Sequence, residues 1–123
     1  MTAPPDTIDY DIDNHKSQKG SDNMSHDETK KFSLGRIVAT PGALHALHDA
    51  AQTSGEFFAR HVTGDWGDLD DEDRNLNNAA LIDGSRILSA YTTRKRERIW
   101  GITEAVNEVG LRYCTTILKP EEY

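Results

Sequence analysis

From Leu44 onward the apolar residues of this chain change their period once, at Gly84, and that change restricts the fold more than any other feature. Upstream they recur three and four apart: Leu44, Leu47 and Ala51, then Phe57, Phe58 and Val62, then Leu76, Ala79, Ala80 and Leu81. Downstream they alternate, so that Ile87, Ser89 and Tyr91 share one face of a strand and Arg86, Leu88 and Ala90 the other. Spacings of 3.6 and 2 residues mark amphipathic helices and half-buried strands. Helices and strands separated in this way along a sequence fold as α+β, with the helices gathered on one face of a sheet.

Local punctuation supplies the boundaries. Phe32–Ala39 is a short β-branched run and reads as a strand. Thr40-Pro41 opens the first helix, with Thr as N-cap and Pro at the first helical position. Ser54 is placed to cap the second helix, and Gly64 closes it. Asp70, Asp71, Glu72 and Asp73 open the third, where acids complement the helix dipole, and Gly84 ends it. Strands over Ser85–Thr93, Arg98–Glu104 and Leu111–Leu118 are joined by the turns Arg94–Glu97 and Asn107–Gly110, and Pro120 stops the last. Short turns between consecutive strands imply an antiparallel meander. The expected order is β-α-α-α-β-β-β, a four-stranded mainly antiparallel sheet in a single α+β domain over residues 32–123. Residues 1–31 hold too little apolar surface to offset the entropy of ordering and read as a disordered acidic tail. Within it, Asp9-Tyr10-Asp11-Ile12-Asp13 has the look of a short linear motif for a basic partner.

The charge is uneven. Residues 1–83 carry 16 acids and 7 bases, a net of −9, whereas residues 84–120 carry 3 acids and 7 bases, a net of +4. The overall −7 argues against a general DNA-binding protein, which needs a basic footprint. No apolar run approaches the ~18–20 residues of a membrane span. The opening Met1-Thr2-Ala3-Pro4-Pro5-Asp6 has neither the basic start nor the apolar core of a signal peptide, so a cytoplasmic location is expected. The single cysteine, Cys114, has no partner for a disulfide or a zinc pair and reads as a small buried strand residue. No motif calls for a metal or a cofactor.

A few polar and aromatic residues stand out. His61 follows Arg60 at a helix end, where a cation complements the dipole; a histidine there also suits a general base or an RNA contact. Trp66, in the glycine-flanked turn Gly64–Gly67, reads as a partner anchor or as a lid on the core. His61, Arg86, Tyr91 and Glu104, if gathered on one sheet face, would supply the base, cation and acid of RNA cleavage. The plainer reading of that face is a solvated surface with an Arg86–Glu104 pair. Arg94, Arg96, Arg98 and Arg112 form a candidate binding set, with Lys95 beside them. Asn75, Asn77 and Asn78 read as helix-surface or turn-tying residues.

Several stretches are familiar together: Leu34-Gly35-Arg36-Ile37-Val38-Ala39-Thr40-Pro41-Gly42-Ala43-Leu44, Arg60-His61-Val62-Thr63-Gly64-Asp65-Trp66-Gly67, Arg86-Ile87-Leu88-Ser89-Ala90-Tyr91, Ile99-Trp100-Gly101-Ile102-Thr103-Glu104, and Thr115-Thr116-Ile117-Leu118-Lys119-Pro120-Glu121-Glu122-Tyr123. In these the chain resembles a family of small bacterial proteins of plasmids and other mobile elements. Its members are often labelled "plasmid-related protein" or "type I restriction endonuclease subunit M". The methylation chemistry in the second label finds no counterpart here, because neither a glycine-rich nucleotide loop nor a pocket motif for an extruded base is present. The resemblance implies a mobile-element protein whose partner is a host protein or nucleoprotein complex, such as a restriction or CRISPR system. Two alternatives stand beside it. The first is a toxin-type ribonuclease, since helices followed by a meander are similar to small ribosome-dependent and barnase-like toxins. The second is an accessory protein that binds RNA or another nucleic acid.

Overall fold

The computed structural model describes residues 30–123 and, ahead of them, the strand residues Ile8–Asp9. The elements in chain order are β1 (Ile8–Asp9), β2 (Arg36–Ala39), α1 (Pro41–Asp49), α2 (Ser54–Val62), α3 (Asp71–Asp83), β3 (Ile87–Thr92), β4 (Arg98–Thr103), β5 (Cys114–Leu118) and a 3-10 turn over Pro120–Glu122. From β2 onward this is the expected β-α-α-α-β-β-β order, and the fold is α+β. The tail lies outside the described residues except at Ile8–Asp9, Lys30 and Lys31. Ile8–Asp9 pairs with β2, and the Lys31 N–H donates to the Val62 carbonyl at 2.8 Å.

The sheet order is β1-β2-β5-β4-β3. β3, β4 and β5 form the antiparallel meander that their short turns dictate. β2 lies parallel to β5, with Arg36 beside Cys114 and Ala39 beside Ile117, so the sheet is mixed. Helix starts follow their side-chain caps. The Thr40 hydroxyl accepts from Ala43 N at 3.1 Å, and the Asp70 carboxylate from Asp73 N at 2.9 Å. The second cap is Thr53 rather than Ser54, its hydroxyl accepting from Glu56 N at 3.3 Å. α1 stops at Asp49, short of Ala51, which takes a φ of +56°. α3 ends on Gly84 at φ +81°, where a Cβ would stand 2.6 Å from Val106. β2 begins at Arg36, leaving Phe32 free to pack over α2 and Trp66.

The core lies between the helices and one sheet face. Ile37, Ala39, Tyr91, Ile99 and Ile117 meet Ala43, Ala46, Leu47, Phe57 and Phe58 there. A smaller cluster joins Trp66, Ala80 and Ile87 with Phe32, Leu69 and Leu81. Each large apolar side chain buried in this way contributes about 1.5–3 kcal/mol. Opposite the helices, Val38, Ile102, Thr116 and Leu118 are also buried, and Tyr123 meets Trp100 edge-on at 5.9 Å. The C-terminal turn is tied back by Glu122, whose carboxylate accepts from the Thr40 hydroxyl at 2.6 Å and from Lys119 N at 2.7 Å.

The β3 edge of the sheet is covered, which blunts an open ladder that would invite aggregation. β1 covers β2. On the other side Ala90 exchanges backbone bonds with Trp66 and Asp68, at 3.1 and 2.6 Å. Gly67, at φ +76°, lies so close to the Ala90 carbonyl that any Cβ would collide with it. Among the described residues, no helix is long and apolar enough to cross a membrane.

Candidate functional site

The register across β3, β4 and β5 places Ser89 beside Gly101, and Thr103 beside Thr115, on the face that meets the helices. Gly101 leaves room above it for the His61 ring of α2, whose Nδ1 is 3.5 Å from where a Cβ would be. His61 is 1% exposed and bridges two strands, with Nδ1 2.6 Å from the Ser89 hydroxyl and Nε2 2.8 Å from that of Thr103. Thr103 lies 2.6 Å from Thr115, and the Thr115 hydroxyl donates to the Leu34 carbonyl at 2.7 Å.

This chain of bonds has one sense. A carbonyl only accepts, so the single Thr115 proton is committed to Leu34. Thr103 must therefore donate to Thr115, and the Nε2–H of His61 to Thr103. Nδ1 is left as the acceptor from Ser89. Burial keeps the ring neutral, so its one proton is on Nε2. Burial drives its pKa down to about 3, and the Arg112 charge adds to the effect. Phe32 closes the pocket edge-on at 5.3 Å, and Trp66 lies 6.0 Å from the ring on another side. The expectation that His61 is the cation at the end of α2 is corrected: the ring is neutral, and Arg60, paired with Asp65 at 2.7 Å, is the cation there.

The four residues expected to cleave RNA are not brought together. His61 and Tyr91 face the helices, while the register puts Arg86 and Glu104 on the opposite sheet face. Tyr91 is buried, its hydroxyl donates to the Asp65 carbonyl at 2.7 Å, and burial raises its pKa. Arg86 is exposed and stands 5.6 Å over the Tyr123 ring. Glu104 is half-buried. Cys114 also lies on the face away from His61, buried in β5, with its thiol pKa raised by that burial.

The binding set divides as well. Trp66 is 6% exposed and its Nε1 donates to Asn78 at 3.2 Å, so it seals the core and presents no surface. Arg112, 8% exposed, donates to the carbonyls of Ser85, Glu104 and Ala80 at 2.8, 3.0 and 3.0 Å and stands 5.6 Å over the Phe32 ring. It ties the end of α3 to β3 and β4, where a cation suits the negative helix terminus. Arg94 reaches the Ala50 and Ala51 carbonyls past the end of α1, at 3.5 and 3.2 Å. Lys95, Arg96 and Arg98 remain exposed at the β3–β4 hairpin.

The outer face of α3 was not singled out in the sequence. Of its residues only Asn77 and Ala80 are buried, a narrower stripe than a core-facing helix usually buries. Asn77 does what the sequence reading assigned to turn-tying residues, but to a strand edge. Leu76 is 62% exposed and Ile82 90%. Before Leu76 lie Asp71, Glu72 and Asp73, and after Ile82 lies Asp83, all exposed. The sole base in the helix, Arg74, is turned back onto the Leu69 and Gly67 carbonyls at 2.9 and 3.2 Å. The signal for this face was present in the sequence as apolar residues three apart, Leu76, Ala79 and Ile82, too polar in their surroundings to be core.

No protein-family model, no curated protein and no solved structure matches this chain.

Proposed function

We propose that the chain is a non-enzymatic binding protein of a mobile genetic element, directed at a host protein or nucleoprotein complex of a defence system such as restriction or CRISPR. The observation that carries this reading is the division of labour among its polar groups. Of the side chains singled out for acid–base or nucleophilic chemistry, His61, Tyr91 and Cys114 are buried. The longest run of exposed carboxylates, by contrast, is Asp70–Asp73 at the start of α3, with Asp83 at its end. A negative surface of this kind competes for cationic grooves built to hold nucleic acid, because it offers the same charge without the phosphates.

The test is transformation of a restriction-proficient bacterium, and of one carrying an active CRISPR system, by an unprotected plasmid, with and without the chain expressed. Restored transformation in either host supports the reading, and unchanged transformation in both overturns it. Expression that arrests growth, together with RNA cleavage by the purified chain, would return the ribonuclease reading in its place.

A further inference from the structure

We infer that the outer ridge of α3 is the docking surface, and that its partner is a cationic helix or groove with an apolar strip. The inference rests on the binding-protein reading and specifies its surface. Leu76, Ala79 and Ile82 are separated by three residues each, a spacing that lines side chains into one continuous row along a helix. All three are exposed. Asp73 continues the row toward the N-terminus, and Glu72 and Asp83 flank it four residues to either side of Leu76 and Ala79. The row is therefore an apolar ridge fenced by carboxylates, with the Arg74 guanidinium drawn off toward the Gly67 loop.

Two features make the ridge a stable platform. Asn77 pins the middle of the helix to the edge of β3, and Arg112 pins its end through the Ala80 carbonyl. A binder thus meets a helix already held in place and loses little freedom in ordering it. Charge complementarity selects the occupant. Carboxylates around exposed leucine and isoleucine fit lysines or arginines around an apolar strip, the arrangement of helix-in-groove recognition. RNA, with its own negative backbone, is disfavoured at this face.

The experiment uses the full chain and a defined probe, a fluorescent 18-residue helical peptide of lysines and leucines, titrated by anisotropy at low and high salt. The expected result is saturable binding that weakens about tenfold or more in the Leu76→Ser/Ile82→Ser variant and in the Glu72→Gln/Asp73→Asn variant. Asp49→Asn/Glu56→Gln, which removes the same charge from α1 and α2, should leave the affinity within about twofold. A lysine-only peptide should bind more weakly than the lysine–leucine peptide. All these substitutions are at exposed positions, and thermal melts check that the fold is retained. Equal weakening by the α1 and α2 variant, no effect of the α3 variants, or no binding at low salt each overturns the inference. A concentration-dependent dimer of the wild type that is abolished by Ile82→Ser would also overturn it, in favour of a second copy as occupant. Failure here with transformation still restored removes this surface alone; unchanged transformation removes the functional reading, whatever the peptide does.

Discussion

The side-chain amide of Asn77 is paired with both backbone groups of Leu88: Nδ2 donates to the carbonyl at 2.7 Å, and Oδ1 accepts from the amide at 3.2 Å. A helix side chain here takes the place of a neighbouring strand. It closes the stretch of the β3 edge that the Trp66–Asp68 segment leaves open and fixes the rotation of α3, so that Leu76 and Ile82 face outward.

Asn77→Leu keeps the branching at Cγ and removes both bonds. Two part-buried backbone groups lose their partners, at a cost of up to about 1–3 kcal/mol each before relaxation. Urea denaturation should show a loss of roughly 2–4 kcal/mol. Hydrogen exchange at the Leu88 amide should accelerate more than at amides of β4. Unchanged protection at Leu88 would show that the amide does not close the edge.

The His61 environment sets a pH dependence. Its folded pKa, about 3, lies below the ordinary 6.5. As pH falls, the unfolded chain takes up this proton first, so the stability present above pH 6.5 drains away between pH 6.5 and about 3. The slope from this one group is about 1.4 kcal/mol per pH unit. Stability curves of wild type and His61→Gln should converge as pH drops through that window. Parallel curves would show that the ring titrates normally.

Thr115 fixes the direction of the buried hydrogen-bond chain. Thr115→Val removes the acceptor for Thr103, whose proton then finds its nearest acceptor at Nε2 of His61. The histidine tautomer should shift from Nε2–H toward Nδ1–H, read from imidazole nitrogen shifts by NMR. Stability should fall by about 1–3 kcal/mol. Retention of the Nε2–H form would refute the polarity derived above.

Arg112 should behave as a strut. Arg112→Lys keeps the charge but cannot reproduce a planar fork that serves three carbonyls. Thermal denaturation should report a loss of about 2–4 kcal/mol, with Arg112→Ala costing more. Arg98→Ala, at the exposed hairpin, should stay within about 0.5 kcal/mol of wild type.

What the sequence disclosed was local. Thr40-Pro41 and Asp70 with Gly84 carry their own capping chemistry, so α1 and α3 could be bounded from neighbouring residues alone. The meander was legible for the same reason: Ile87, Ser89 and Tyr91 alternate with Leu88 and Ala90 whatever the rest of the chain does. The parallel pairing of β2 with β5 joins residues about eighty apart and leaves no turn signature, so its direction was hidden. Arg112 was misplaced because a guanidinium suits a surface or an interior equally well until its partners, three carbonyls, are brought up by folding, whereas Trp66 takes the core-lid position that was one of its two readings. His61 had an indirect signal. Ser89, Thr103 and Thr115 point inward from three successive strands, and such a row of hydroxyls needs a polar group above it. Ile8–Asp9 had one too, in the alternation of Ile8, Tyr10 and Ile12 with acids, which the low apolar content of the tail masked.

The one-way chain from Ser89 through His61, Thr103 and Thr115 to Leu34 makes these four side chains an epistatic unit. Altering any single member strands its neighbours. Exchanging the whole set for apolar residues of matching shape would remove every partner at once and cost far less than the single changes add up to. Drift at this locus should therefore proceed in concerted jumps, and a library that randomises the four positions together should recover folded sequences that no stepwise path through single substitutions reaches.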